Sequence, residues 1–244
     1  MHDMGGEPQA LAGNCPNFGG SWTMMKRQSY STQLYRKLGD LVDYPINYHV
    51  TGAIRLAHSR QRMEEFRHVC SMGKQMGVEF EMLTNSQIQE LHPYIETHDL
   101  EGGQWDPLDG DIDPAQLTQA LARGAKNNGG KIIRFCPAIN AQRINDEWLI
   151  TTPEGDITCE YVVNAAGYRA AEVGKMFGRN VPCVSLAHQY LITEPIPELE
   201  ANKYKVPLFR DPDSSYYLRQ EKDGLLLGPY EKNCRAHWTT SDDP

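Results

Sequence analysis

Between Gly155 and Arg169 the chain reads GDITCEYVVNAAGYR, a β-prone run that empties into Asn164-Ala165-Ala166-Gly167. Small side chains at the mouth of a strand let a ligand approach main-chain N–H groups closely, and a short helix from about Arg169 can point its N-terminus at that ligand. These residue types suit contact with a pyrophosphate or a ring, and they equally suit tight packing of a strand on a helix. Farther along, His188 and Tyr216 are candidates for proton transfer. An imidazole in an alternating strand is more often a hydrogen-bonded structural group, and paired tyrosines more often pack across a sheet. Arg219 can clamp a carboxylate through two parallel hydrogen bonds, although a solvated hairpin arginine is the simpler reading.

Other constellations exclude more than they assign. Asp109, Asp111 and Asp113 place three carboxylates within five residues, but the register lacks the glycine at the sixth position and the glutamate at the twelfth that an EF-hand loop requires, which argues against calcium. The six cysteines show no C-x-x-C spacing, so no zinc or thioredoxin-like motif is present and reduced thiols are expected. A net charge of -8 without any long basic run argues against a nucleic-acid partner. No stretch approaches the roughly 20 apolar residues needed to span a bilayer. The compartment expected from these features is cytoplasmic.

The elements that must position these residues read as mixed α and β. Ser21 to Lys37 is predicted helical, with Ser21 as N-cap and Gly39 as stop. Ile46, Tyr48 and Val50, then Ile54 and Leu56, alternate around Gly52 as a strand pair or one bent strand. Ser59 opens a second helix with Met63, Phe66, Val69 and Cys70 as its apolar stripe; a strand at Phe80 to Leu83 precedes a capping box, Thr84 to Gln87, and a helix stopped by Pro93. Asp113 and Pro114 begin a helix that Gly129-Gly130 ends. Strands are then predicted at Lys131 to Phe135, Trp148 to Thr152 and Ile157 to Val163, the last two joined by Pro153 to Asp156. Leu186, His188, Tyr190 and Ile192 share one face of a further strand, which places His188 beside apolar neighbours. A hairpin of Ser214 to Arg219 and Leu225 to Leu227 turns at Asp223-Gly224, with Tyr216 and Tyr217 on opposite faces.

The runs AGNCPNFGGSW, YHVTGAIRLAHS, DGDIDPAQLTQAL, VVNAAGYRAAEVGKM, LAHQYLITEPIPEL and SSYYLRQEKDGLLLGPYE occur in an order and spacing that together resemble the FAD-dependent amine oxidoreductases of the dimethylglycine and sarcosine dehydrogenase group, within the D-amino-acid-oxidase-like fold family. The resemblance implies an α/β chain, α+β in its substrate part: a partial FAD-binding domain with an interleaved β-rich substrate domain. It divides the chain into a flavin-domain remnant (1–39), substrate segments (40–103 and 181–244) and a flavin-binding segment (104–180). It implies FAD contact by Ala165, Ala166 and Gly167 and, on the adenine side, by Ala138 and Ile139, with His188 and Tyr216 at the flavin. The implied reaction oxidises a small N-methylated glycine-type amine by hydride transfer; a truncated, non-catalytic binding module is the alternative.

The departures matter as much. The chain has no G-x-G-x-x-G, and where that group carries a Trp-His-Ala-Ala-Gly run with a flavin-linked histidine, this chain reads Gln9-Ala10-Leu11-Ala12-Gly13. Any bound FAD is therefore expected to be non-covalent. The pattern implies a partial reading frame, with tetrahydrofolate possible only through a missing C-terminal domain and a mitochondrial matrix location possible if a longer N-terminus carries a transit peptide. Without the glycine-rich turn that neutralises a pyrophosphate, the 244-residue chain is expected to bind FAD weakly or not at all. Visible absorption after gel filtration checks this, and stoichiometric yellow protein would contradict it.

Overall fold

The computed structural model describes residues 13–17, 19 and 21–237. The elements begin with α1 (Trp22–Val42), β1 (Tyr48–His49), β2 (Ala53–Ala57), α2 (Arg60–Gln75), β3 (Glu81–Leu83), α3 (Asn85–Leu91), β4 (Gly102–Asp106), β5 (Asp111–Ile112) and α4 (Pro114–Asn127). There follow β6 (Asn140–Ile144), β7 (Glu147–Thr152), β8 (Gly155–Cys159), a 3-10 turn at Gly167–Arg169, α5 (Ala170–Met176), β9 (Ser185–Leu186) and β10 (Leu191–Ile192). The last are α6 (Pro197–Glu200), β11 (Leu208–Asp211), β12 (Tyr216–Glu221), β13 (Gly224–Pro229) and β14 (Ala236–His237). Among the described residues no helix is long and apolar enough to cross a membrane.

The chain divides into two compact units, one holding the described residues up to Lys131 with Gln189–Tyr230, the other Ile132–His188 with the described residues from Glu231. The boundary at Lys131 cuts through the segment 104–180 that the resemblance assigns to flavin binding.

The first unit is built on a seven-stranded sheet of order β10-β13-β12-β11-β2-β4-β3, in which strands from both expected substrate segments share one ladder. β11 runs parallel to β2, with Arg210 opposite Arg55, and antiparallel to β12, with Arg210 opposite Tyr217. Alternation along these strands gives one apolar face. Ile54, Leu56, Leu83 and Phe209 pack there with Ile88 of α3 and with Ile95 and Leu100; each such fully buried aliphatic side chain contributes about 1.5–3 kcal/mol. His92 is buried in this region with its ring edge-on to Phe209, and burial pushes it down to about 4, so it serves as a neutral aromatic ring.

The helix starts follow from their caps. Ser21, Ser59 and Thr84 each accept a backbone N–H of the first turn, Thr84 and Gln87 form a reciprocal capping box, and Asp113 accepts from the amides of Ala115 and Gln116 ahead of Pro114. Gly39, in contrast, does not stop α1. The helix continues to Val42 and ends at Asp43 in the left-handed region, and a Cβ on Gly39 would press on the Tyr44 carbonyl, so this glycine permits close approach.

Four expected strands differ. Residues 131–135 form no strand: among the described residues no neighbour completes a ladder with them, and an isolated extended segment has nothing to bond. β8 ends at Cys159, leaving Val163 at 87% exposure, and only Pro153 and Glu154 lie between Thr152 and its partner Gly155. Leu186 to Ile192 is not one strand; β9 pairs with β14 in the second unit and β10 with β13 in the first. β1 and β2 likewise belong to separate sheets. In the β12–β13 hairpin the positive φ is at Lys222 rather than at Asp223-Gly224, because Glu221 pairs directly with Gly224.

Gly52 breaks the chain between β1 and β2 at φ +74°, and a Cβ there would run into the Trp105 ring. Gly52→Ala should therefore cost about 2 kcal/mol or more through overpacking and left-handed strain. Urea unfolding checks this, and an unchanged midpoint would contradict it.

Candidate active site

The polar face of the seven-stranded sheet is organised by the loop between β4 and β5. Asp109, fully buried, accepts from Arg210 Nη1 at 2.7 Å. Asp111 Oδ1 accepts from Lys205 Nζ at 2.7 Å and lies 3.1 Å from His49 Nδ1 and 3.8 Å from Arg219. Asp113 caps α4. The three clustered carboxylates thus each have a protein partner: a guanidinium, an ammonium, a helix start. Asp106, also buried, accepts from the Leu108 amide at 3.0 Å, while its Oδ2 has no hydrogen-bond partner among the described residues. Burial, then the charge of Asp109, pushes its carboxyl up to about 6.

Beside this loop lies a cleft of about 440 Å³ lined by Asn14, Arg55, Arg210, Tyr216, Tyr217 and Tyr230, with Ser215 at its rim. Arg55 and Arg210 are cross-strand neighbours. Burial first, then the neighbouring Arg210 charge, lowers the Arg55 guanidinium to about 9 against the opposing charges of Asp109, Asp106 and Glu65.

The two tyrosines of β12 have different surroundings. Tyr216 packs edge-on against Phe209 at 5.9 Å, joining the apolar cluster. Tyr217 lies against Tyr230 with the ring centroids 5.8 Å apart and the planes tilted, its ring occupying the space a Cβ on Gly228 would need, and its phenol is raised by burial and by Tyr230 against the opposing charges of Arg219 and Arg210. Tyr217 is therefore the tyrosine on the arginine face. The strand alternation that separates it from Tyr216 also places it with Arg219, which was the available signal. Arg219 is not solvated: it is 6% exposed and donates to Glu221 at 2.6 Å and to the Gln220 carbonyl at 3.1 Å, so its charge is already committed.

The second unit carries the other sequence candidates. His188 is not among apolar strand neighbours; it sits outside β9, its Nδ1 2.7 Å from Glu231 Oε2 and its Nε2 3.8 Å from Cys234 Sγ. Donation from Nδ1–H to the Glu231 carboxylate leaves Nε2 as the basic nitrogen. Asn164 shapes the small-residue turn, donating to the Ala170 carbonyl at 2.9 Å and accepting from the Ala166 amide at 3.2 Å. Gly167 adopts φ +58° with open space where a Cβ would stand. Ala165 is exposed, as are Ala138 and Ile139, and Tyr161 and Val163 beside the turn are exposed as well. The Ala166 amide is already taken, so the turn fits contact with the apolar ring portions of FAD better than a grip on its phosphates. His188, Ala138, Ile139 and the turn fall in this unit, and Tyr216 in the other.

Comparison with known proteins gives the context. A family model described as FAD dependent oxidoreductase (DAO) matches residues 9–244. The chain belongs to this family. It is 38% identical over 219 residues to mitochondrial dimethylglycine dehydrogenase of Mus musculus, covering 88% of this chain and 25% of that protein. It is 36% identical over 188 residues to mitochondrial sarcosine dehydrogenase of Homo sapiens, covering 75% of this chain and 20% of that protein. The chain thus spans about a quarter or less of these relatives' length. The crystal structure of L-proline dehydrogenase from P. horikoshii superposes with a TM-score of 0.83 at 21% identity, over 98% of this chain and 62% of that one, which establishes the family fold.

Asp109→Ala leaves Arg210 buried without its carboxylate and should destabilise the fold by about 3–5 kcal/mol. Asp106→Asn should act oppositely. A carboxyl raised to about 6 is disfavoured in its charged form, so this group costs stability in full above that pH, and the cost is relieved progressively as pH falls from there towards the ordinary carboxylate value. The amide keeps an acceptor for Leu108 and should stabilise by on the order of 1 kcal/mol at neutral pH, with the gain vanishing in acid. Urea midpoints of both variants between pH 5 and 8 check the pair; equal losses in both would contradict it.

Proposed function

We propose that this chain is the substrate-binding part and a portion of the cofactor-binding part of a dehydrogenase that oxidises an N-methylated glycine-type amine. The observation that carries this reading is the cleft in which Arg55 and Arg210 stand together beside Tyr217. Dimethylglycine and sarcosine, named by the two relatives, each join an amine to a carboxylate, and a pair of guanidiniums suits the carboxylate through charge-assisted hydrogen bonds. Asp109 braces Arg210, and Arg55 stands beside it on the neighbouring strand, so the two present their guanidiniums together.

Bound FAD supplies the hydride acceptor. The chain's own residues bind, orient and manage the proton. Loss of hydride from carbon requires an amine with its lone pair free, so the substrate ammonium must first give up a proton. Proton acceptance is the role the family resemblance implies for His188, whose Nδ1 is paired with Glu231. Tyr216, half-buried against Phe209, and Tyr217 provide phenols that orient the amine. Ala165, Ala166 and Gly167, with Ala138 and Ile139, would be the residues of this chain that contact FAD, without a covalent bond to it. The mitochondrial names of both relatives favour the mitochondrial compartment.

The test is flavin reduction by the full-length protein containing this chain, with dimethylglycine, sarcosine and carboxylate-free dimethylamine as substrates. Arg55→Met should weaken binding of the two amino acids about 10–100-fold, the effect of losing a hydrogen bond to a charged group, and leave dimethylamine unchanged. His188→Ala should slow reduction roughly 10²-fold. Equal reduction by all three substrates, or an Arg55 variant indifferent to the carboxylate, would sink the reading.

A further inference from the structure

His58, directly after β2, joins three segments that are distant in sequence. Its Nε2 lies 2.9 Å from Asp211 Oδ2, its Nδ1 lies 3.3 Å from Asp99 Oδ2, and its backbone N–H donates to Asp213 Oδ2 at 3.2 Å. Both ring nitrogens therefore face carboxylates. A neutral imidazole has one N–H and would turn a lone pair towards one of them; only the imidazolium can donate to both.

Asp211 and Asp213 are themselves tied in. The Oδ1 of Asp211 accepts from the amides of Asp213 at 3.1 Å and Ser214 at 2.9 Å, which folds the β11–β12 turn around that carboxylate. Arg62 of α2 grips Asp213 through Nε at 3.0 Å and Nη2 at 2.7 Å and reaches Glu65 on its own helix. Ser215, next in the turn, has φ 60°, a backbone state that L-residues rarely adopt and that needs support from its surroundings. Asp211, Ser215 and Tyr216 line the cleft that holds Arg55, and Tyr217 follows on the same strand.

We propose that His58 is a positioning residue whose imidazolium, clamped between Asp211 and Asp99, holds the 211–215 turn in place and thereby sets the rim of the cleft from which Tyr216 and Tyr217 project. The groups facing it are Asp99 from the loop before β4, Asp211 at the end of β11 and Asp213 from the turn; Arg62 of α2 pairs with Asp213, and the Tyr216 phenol is raised by burial and then by the charges of Asp211 and Asp99. Burial alone would lower the His58 pKa, but the hydrogen bond to Asp211 and the charges of Asp211, Asp99 and Asp213 outweigh it and raise the group above its ordinary 6.5. A histidine raised in this way stabilises the turn fully below the ordinary value, and the support is lost as pH rises through the folded-state value.

The relevance of the clamp to catalysis rests on the proposed function, but its test reads only the turn. In the 244-residue chain, NMR follows the His58 ring between pH 5 and 9 while amide exchange, corrected for its intrinsic pH dependence, follows Asp213 and Ser214. His58 should titrate above 6.5, and protection of both amides should fall several-fold around the same midpoint. Asp99→Asn, a change at a half-exposed side chain, should move the ring midpoint and the amide midpoint down together. His58→Asn should leave the two amides weakly protected at every pH. Amide protection that ignores the His58 titration, or an Asp99→Asn variant that shifts the ring without shifting the amides, would overturn the proposal.

Discussion

The buried pairing of Asp109 with Arg210 is the interaction on which the first unit depends. A seven-stranded sheet with Arg55, Arg210 and Arg219 on its inner strands cannot bury that face unless carboxylates meet the guanidiniums, because an unpaired buried ion costs several kcal/mol. The β4–β5 connection answers with Asp109, which meets Arg210, and with Asp111 at the start of β5, which lies near Arg219. Gly110 sits among them because a Cβ there would strike the His49 carbonyl. The same loop binds the start of the described chain: the Cys15 amide donates to the Gly110 carbonyl at 2.8 Å and Asn14 bridges to Asp111. Cys15, buried beside Asp109 and Asp111, has its thiol pushed up to about 12 and is an inert packing group. Residues 13–15, the acidic loop and the cleft are thus joined in one electrostatic assembly, and the two guanidiniums of Arg55 and Arg210 set the charge of the cleft.

What was legible in the sequence was local. The caps at Ser21, Ser59, Thr84 and Asp113 depend on neighbours within a turn, and each stands where its pattern placed it. The capping box and the proline at the start of α4 are of the same kind. What was not legible depends on contacts far along the chain. Asp109 and Arg210 are 101 positions apart, and nothing in either neighbourhood announces the pair. Apolar alternation suggested strands at 131–135 and 186–192, but a strand exists only where another strand completes it, and alternation carries no information about the partner. For the same reason the aspartates first raised the question of a cation loop, when their oxygens were directed at arginine and lysine from β11 and its approach.

The family resemblance read from six short runs survives comparison with whole proteins, while the individual site residues need the fold to sort them. Tyr216 and Tyr217 are adjacent and chemically identical, yet one joins the apolar cluster and the other meets the cations, a distinction made by the pleat alone. His188 exchanged its expected apolar setting for the carboxylate of Glu231, which gives it a defined basic nitrogen. The small-residue turn at Asn164 to Gly167 uses one of its own amides internally, so it contributes shape and apolar surface more than charge recognition.

The most direct measurement of the central claim is an NMR titration of the arginine Nε–Hε signals in the 244-residue chain with sarcosine and, separately, with carboxylate-free dimethylamine. The cleft is enclosed within one unit, so the chain on its own suffices. Sarcosine should shift the signals of Arg55 and Arg210 in a saturable way while Arg123, on the surface of α4, stays still, and dimethylamine should move none of them. Shifts spread equally over exposed arginines, or no response at Arg55, would show that the paired guanidiniums do not form a carboxylate site.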